Sequence, residues 1–425
     1  MLFTLIYIMI NFLLNDNLFM INKTIEEKTQ TALLYFDISE IFLNILLLAE
    51  KEDYQGYKNY IKNIKFRFNY NINQYTYLSV LYYLMHTSME IKLKSLIPQN
   101  QIYKIDNKGK HSILPLYKKI DINIQNKIFN NLIAYKNQSM YFSNKNNPLK
   151  SFIKKPKTLP NNSFLKKGFS KKDLENYIGY AFTDLRFKEL RMNKVNSKTN
   201  TVFETSFIDV VNLINDKSIN DKYKTNENLK FYYSYKIIKE TLNKNFCSKS
   251  DFLSFKKQDL LVVFLNLIIY SIENILKSII LFSGRENNNH YLSTLFLDIK
   301  KSRRKKYIKF IKKEMRKIQI EVINKYKKTQ DIDFKNLYNT LDLYIKDHKN
   351  ENLLLFFKKF NNFYINSRYS NQYINKLSGI EEDLFIIMFI TNISLQYLKN
   401  LNKSSFLNKH DIKKYNIIYN KQKQV

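Results

Sequence analysis

Residues that interrupt helices are scarce in this chain of 425 residues. It has 6 Gly and 5 Pro, too few for the many turns of a β-sandwich or a β-barrel. Long apolar runs at helical spacing recur along the chain instead. The sequence therefore predicts an all-α protein, and the chain length favours two or three domains.

Cysteine is nearly absent as well, and there is no tryptophan. The lone Cys247 excludes an intramolecular disulfide and a multi-cysteine metal site, and it is typical of a reducing compartment. The 5 histidines are scattered, so no metal-binding spacing is present. We expect a cytoplasmic protein without a metal or other cofactor.

Two apolar stretches could be taken for membrane segments. Residues 1–14 lack basic residues and a small-residue cleavage site, and they end short of the roughly 20 residues that a span needs. A true start at Met20 remains an alternative. Residues 260–282 are long enough to span a bilayer, but they carry Glu273 and Lys277, which are unfavourable at membrane depth. They are predicted to form a buried core helix, and a membrane partner is not expected.

Acidic residues are few compared with basic ones. The chain has 70 Lys and Arg against 37 Asp and Glu, which gives a net charge of +33. A biased genome composition can enrich lysine, but it does not by itself deplete acidic residues. The charge therefore favours a polyanionic partner, and the excess of lysine over arginine favours contact with phosphates over reading of base edges.

The densest basic segment covers residues 300–328. Its apolar residues predict a buried stripe on one helix face, formed by Tyr307, Ile311, Met315, Ile318 and Val322. The other faces would carry the candidate nucleic-acid-binding residues Arg303, Arg304, Lys305, Lys306, Lys309, Lys312, Lys313, Arg316 and Lys317. A membrane-surface helix and a merely solvated helix are the alternatives.

The two halves of the chain share a series of features in the same order. Glu90, Lys94, His111 and Arg186 in the first half correspond to Glu273, Lys277, His290 and Arg368 in the second half. Each Glu-Lys pair has the spacing that puts both side chains on one helix face. We interpret each pair as a partly exposed salt bridge, with an interface or a nucleotide pocket as the alternative. An apolar helix follows each arginine.

This order predicts two tandem, up-and-down bundles of four or five helices that arose by internal duplication. The predicted bundles cover residues 25–215, with a basic loop inserted at 143–172, and residues 229–405. The remaining segments are an apolar N-terminal stretch (1–24), a linker (216–228) and a basic tail (406–425).

The second copy resembles the HEPN superfamily of helical bundles, which occur beside minimal nucleotidyltransferases and in antiphage, toxin and RNA-processing proteins. The resemblance is carried by Glu273 and Lys277, by the turn into a helix at His290, and by Arg368-Tyr369 before the last helix. The first copy follows the same outline but has Arg186-Phe187 in place of Arg-Tyr. No nucleotidyltransferase motif precedes either copy.

Nuclease members of this superfamily carry an arginine and a histidine separated by four to six residues, and two such motifs meet across a dimer. Arg285 and His290 have this spacing. An imidazole can move a proton from a ribose hydroxyl, and a guanidinium can stabilise the charged phosphate transition state. Against this role, Glu286 lies beside Arg285, and the first copy has no arginine before His111. The alternative is that both histidines cap or anchor the helix that follows.

Three functions follow from the resemblance and the charge. The first is an RNA-binding protein of a prokaryotic defence, toxin or stress system, with degenerate catalytic sites. The second is a metal-independent endoribonuclease that uses Arg285 and His290 at a dimer interface, formed either by a homodimer or by an internal pseudo-dimer. The third is a scaffold for a separately encoded nucleotidyltransferase or other protein partner.

Overall fold

The computed structural model describes residues 2–64, 77–97, 112–128, 130, 175, 227–253, 257–347, 351–366 and 380–401, with side chains in the first helix described from Thr24 onward. Every regular element in these ranges is helical, which confirms the predicted all-α class. The helices are α1 (Leu2–Glu50), α2 (Tyr54–Asn63), α3 (Leu78–Leu96), α4 (Ile113–Tyr117), α5 (Glu227–Leu242), α6 (Lys249–Leu253), α7 (Lys257–Leu281), α8 (Leu292–Asp298), α9 (Lys301–Thr329), α10 (Ile332–Lys346), α11 (Glu351–Asn366) and α12 (Ile380–Leu401).

The larger of two compact units combines Met1–Ile72 with Ser248–Val425. Its core is organised around α7, whose residues from Leu260 to Leu281 are nearly all buried. Helix α1 packs along α7, and the two run antiparallel, since later residues of α1 contact earlier residues of α7. The Thr29 hydroxyl donates to Ser278 Oγ over 3.5 Å, and the rings of Tyr35 and Tyr270 lie 4.6 Å apart. Burial of each large aliphatic side chain in this interface contributes roughly 1.5–3 kcal/mol.

The remaining helices of this unit close around α7 and form a hairpin on its surface. Helices α8 and α12 pack on α7, and α9 packs on both α10 and α12. The turn between α9 and α10 is short because Gln330 adopts a left-handed conformation with φ of 53° and ends α9. Asp331 then accepts a hydrogen bond from the amide of Asp333 and caps α10.

The smaller unit covers Asn73–Cys247 and contains α3, α4 and α5. Helices α4 and α5 both pack on α3. The core includes Leu84, Met85 and Met89 of α3 together with Phe231 and Ile238 of α5, all of which are buried.

These units differ from the predicted bundles of residues 25–215 and 229–405. Helix α1 belongs to the first predicted bundle but packs on α7 of the second, and α5 belongs to the second predicted bundle but packs on α3 of the first. The physical reason is that each long apolar helix, α3 or α7, needs an apolar partner along its length. In each unit this partner comes from the other half of the sequence.

Three segments are long and apolar enough to cross a membrane, namely Thr24–Glu50, Leu260–Leu281 and Leu384–Leu401. In each segment most of the residues are buried within the larger unit, including 94% of those in the α7 segment. The predicted core position of α7 is therefore confirmed. Polar groups buried in this core form hydrogen bonds with one another. For example, the Ser271 hydroxyl of α7 donates to the carbonyl of Ala32 in α1 over 2.7 Å.

Candidate functional site

Helix α9 separates its apolar and basic residues onto opposite faces. Tyr307, Ile311, Met315 and Val322 are buried, as the predicted stripe requires, and Ile318 is half-buried. Tyr307 reaches α12, where its hydroxyl lies 2.6 Å from Ser394 Oγ. Burial raises the pKa of Tyr307 well above its usual range. The buried stripe thus fixes which side of α9 faces outward.

The outward side of α9 is almost entirely basic near its start. Between residues 301 and 317 the exposed residues are Lys301, Ser302, Lys305, Lys306, Lys309, Lys313, Arg316 and Lys317. No acidic residue occurs in the helix before Glu314. Glu314 pairs with Lys317 at 2.6 Å, an exposed ion pair of little energetic weight. We refer to Lys301, Lys305, Lys306, Lys309, Lys313, Arg316 and Lys317 as the basic face.

Three of the predicted nucleic-acid-binding residues make contacts within their own unit. Arg303 lies over the ring of Phe282, and Arg304 donates to the carbonyl of Leu297 over 2.5 Å. Lys312 donates to the backbone carbonyl of Asp347, and partial burial lowers its pKa. These three residues hold α9 against the rest of the unit, so the basic face contains six of the nine predicted residues.

A second cluster links α7 to the start of α8. The carboxylate of Glu273, buried in α7, accepts hydrogen bonds at Oε1 from Lys277 Nζ over 2.7 Å and from His290 Nδ1 over 2.9 Å. The Oε2 atom of Glu273 is buried without a hydrogen-bond partner. Because Nδ1 carries the proton in this arrangement, the neutral tautomer leaves Nε2 as a proton acceptor, and the side chain of His290 is 62% exposed.

The predicted pairing of Glu273 with Lys277 on one helix face is confirmed, but its interpretation as a partly exposed salt bridge is wrong. The side chains are only 2% and 9% exposed, respectively. The pair lies in the last third of α7, about one to two turns before its end at Leu281, and both side chains are enclosed there by the packing of α7.

The corresponding pair in the smaller unit has a similar geometry. Lys94 Nζ lies 2.7 Å from Glu90 Oε1 on α3, and the Glu90 side chain is 3% exposed. His86, one turn earlier, places Nδ1 3.9 Å from Glu90 Oε2 and stacks on Tyr82. Both units therefore surround a buried glutamate with a lysine and a histidine, although the two histidines come from different positions in the sequence.

The loop that carries Arg285 and His290 is shaped by its asparagines. Asn287 Oδ1 accepts from the amide of Asn289, and Asn289 Oδ1 accepts from the amide of Tyr291. Arg285 and Glu286 are exposed. The α8 helix starts without a side-chain cap, so His290 does not cap α8 but ties its start to α7.

Several predicted residues lie outside the described part of the chain. These are His111, Arg186, Phe187, Arg368, Tyr369 and the basic loop at 143–172. Sequence reasoning also overlooked one residue of the basic face, Lys301, although its spacing of four from Lys305 could have identified it.

Among the residues described, no group of three or more His, Cys, Asp or Glu side chains is placed to hold a metal ion. In comparisons with known proteins, no protein-family model matches the chain, and neither a curated protein nor a solved structure shows significant similarity to it.

Proposed function

We propose that this protein binds RNA through the basic face of α9, and that it does so as a HEPN-like protein of a prokaryotic defence, toxin or stress system. The observation that carries the proposal is that, among the exposed residues of α9 between 301 and 317, only Ser302 is not basic. A continuous positive surface attracts a phosphate backbone and releases its counterions. A cytoplasmic location agrees with this role.

The amphipathic construction of α9 supports nucleic acid over a membrane surface. A helix that lies on a bilayer inserts its apolar face among the lipids. The apolar stripe of α9 is already occupied by the core of its own unit, where Tyr307 and Met315 are fully buried. Between residues 301 and 317 the exposed side of α9 is charged, which suits a soluble polyanion.

The HEPN-like part of the proposal rests on the order of motifs and on the similar glutamate clusters of the two units. We propose that the two halves arose by duplication and exchanged their first helices, so that α1 completes the unit of α7 and α5 completes that of α3. This exchange would account for compact units that cross the boundaries of the repeat.

The direct test is the affinity of the purified protein for RNA. We expect binding to total RNA that weakens steeply with salt, and a loss of about tenfold or more in the variant Lys309→Glu/Lys313→Glu, because two attractive charges become repulsive. The matched control Lys119→Glu/Lys127→Glu changes two exposed lysines of the smaller unit and should retain most of the affinity. Equal losses in both variants would contradict a role for α9.

A metal-independent endoribonuclease is the second candidate, and one contact favours it. The buried Glu273 carboxylate holds Nδ1 of His290 and leaves Nε2 on the exposed side of the ring, an orientation that suits a general base. Arg285 on the same loop would stabilise the phosphate. By the resemblance, a second such motif would be needed across a dimer.

Incubation with RNA in the presence of EDTA tests this candidate. Cleavage that disappears in Arg285→Ala and in His290→Ala would establish the endoribonuclease, whereas binding without cleavage in the wild type would leave the RNA-binding proposal alone. Absence of both activities would favour the third role, a scaffold for a separately encoded protein.

A further inference from the structure

Five lysines of α9 follow one another at a constant spacing of four residues. They are Lys301, Lys305, Lys309, Lys313 and Lys317, and all five are exposed. The first four make no hydrogen bond or ion pair with the described part of the chain, and Lys317 makes only the exposed pair with Glu314. We refer to these five residues as the lysine row.

The geometry of an α-helix makes this row a regular array of charges. With a rise of about 1.5 Å per residue, successive lysines are about 6 Å apart along the axis, and the row winds slowly around the helix by about 40° per step. This separation is comparable to that between adjacent phosphates along one nucleic-acid strand. Over its four steps the row turns by about 160°, so a strand that follows it crosses the exposed side of α9 diagonally, with the long lysine stems reaching toward it.

The surroundings of the row offer positive charge to a phosphate backbone but no aromatic surface on which bases could stack. Proteins that bind single strands through bases use exposed aromatic rings as stacking platforms. On α9, Tyr307 is buried and Phe310 packs against Tyr397 with 5.5 Å between ring centroids. The exposed residues from 301 to 317 include no aromatic residue, so this surface offers charge to a backbone and no stacking platform to bases.

We propose that the lysine row binds consecutive phosphates of one RNA strand, about one phosphate per helical turn, without regard to base sequence. This inference rests on the proposed RNA binding and specifies its ligand as a run of about five nucleotides of backbone. The strand would follow α9 from its start to Lys317, where Glu314 and then Glu321 bring acidic charge to the helix.

The test compares lysines on the row with exposed lysines of the same unit outside the basic face. The row variant is Lys305→Gln/Lys309→Gln/Lys313→Gln, and the control is Lys327→Gln/Lys328→Gln/Lys335→Gln, which removes the same charge from the end of α9 and the start of α10. The probe is a fluorescein-labelled ten-nucleotide oligouridylate, titrated by fluorescence anisotropy between 50 and 200 mM NaCl. Circular dichroism checks that each variant remains folded.

Each phosphate contact with a single strand contributes about 0.7 to the slope of log affinity against log salt. With five contacts the wild-type affinity should fall about 100-fold over this fourfold rise in salt, and the row variant should fall only about tenfold. The control should fall about as steeply as the wild type. An oligocytidylate of the same length should bind with equal affinity, and affinity should stop rising steeply once an oligomer supplies about five phosphates.

The outcomes separate the inference from the proposed function. Equal salt slopes in the row variant and the control, with wild-type binding intact, would overturn the lysine row and leave RNA binding standing. No RNA binding by the wild type would overturn both. Binding to phosphatidylserine vesicles in place of the oligonucleotide would also overturn both, since it would identify a membrane surface as the partner of this face.

Discussion

The Nδ1 atom of His290 lies 2.9 Å from Oε1 of Glu273, and the same oxygen accepts a hydrogen bond from Lys277 Nζ. One buried carboxylate therefore ties the loop before α8 to the central helix α7. The ion pair lies in a core of aliphatic side chains, where a charge without its partner is strongly unfavourable.

We predict that Glu273→Ala lowers the free energy of unfolding by about 3–5 kcal/mol, because it leaves the buried Lys277 ammonium without its counter-charge. The double variant Glu273→Leu/Lys277→Met should recover most of this loss, since two apolar side chains suit the same site. Urea unfolding followed by circular dichroism measures both. Glu286→Ala, at an exposed position, should change the stability by less than about 0.5 kcal/mol. Equal stability of Glu273→Ala and wild type would show that the ion pair does not contribute to the stability of the fold.

The hydrogen bond between Tyr307 and Ser394 should respond asymmetrically to substitution. Ser394 Oγ also donates to the carbonyl of Ile390, so Tyr307→Phe leaves the serine satisfied and should cost about 1 kcal/mol. Ser394→Ala leaves the buried tyrosine hydroxyl without its partner and should cost about 1–3 kcal/mol. The reverse order in urea unfolding would mean that the tyrosine has another acceptor.

Alkaline pH should destabilise the protein through its buried tyrosines. Burial raises the pKa of Tyr307 above its usual range and that of Tyr117 to about 12, with the Glu175 carboxylate adding to the rise for Tyr117. Below about pH 10 the tyrosine hydroxyls keep their protons in both the folded and the unfolded protein. Above about pH 10 the unfolded protein loses them first, while the folded protein still holds them. The free energy of unfolding should fall as pH rises from about 10 toward the folded-state pKa. In the Tyr307→Phe variant the free energy of unfolding should fall less steeply with pH, by about 1 kcal/mol per pH unit. An identical pH profile of variant and wild type would show that Tyr307 does not contribute to the alkaline loss of stability.

Two substitutions in the turn between α9 and α10 should change the stability of the protein in opposite directions. Gln330 has a φ of 53°, which glycine adopts without the penalty of a side chain, so Gln330→Gly should stabilise the protein by about 1 kcal/mol. Asp331→Ala removes the cap of α10 and should destabilise it by about 1 kcal/mol. The midpoints of thermal unfolding show whether each variant is more or less stable than the wild type. Destabilisation by Gln330→Gly would show that the side-chain contacts of Gln330 contribute more to stability than relief of its backbone strain.

The exchange of first helices predicts which fragments fold. Residues 73–247 contain α3 with its partner α5, whereas residues 25–215 contain α1 without α7 and α3 without α5. Expressed separately, 73–247 should unfold cooperatively in urea, and 25–215 should give a shallow transition with exposed apolar surface. Cooperative unfolding of 25–215 alone would favour the boundaries of the repeat.

The sequence predicted the helices well where the pattern within one helix was sufficient. The spacing of Tyr307, Ile311 and Met315 identified the buried side of α9 because a helix repeats every 3.6 residues. The pairing of α1 with α7 could not be predicted in this way, since both helices are apolar on most sides and neither pattern specifies a partner more than two hundred residues away.

The candidate site was predictable in part for the same reason. The basic residues of α9 and the anchoring role of His290 were identified from local sequence, but the partner of His290 was not, because Glu273 lies on a different helix. Arg303 and Arg304 were predicted to contact nucleic acid, yet they pack on Phe282 and Phe296. The two arginine side chains are oriented by these aromatic rings, which lie outside α9 and come close to it only in the folded protein.

RNA binding through α9 can be tested by the reactivity of each lysine toward acetylation, with and without bound RNA, read by mass spectrometry. We predict that RNA protects Lys305, Lys309 and Lys313, while Lys119 and Lys127 react as fast as in the free protein. Protection spread evenly over all exposed lysines, or confined to the smaller unit, would contradict RNA binding through α9.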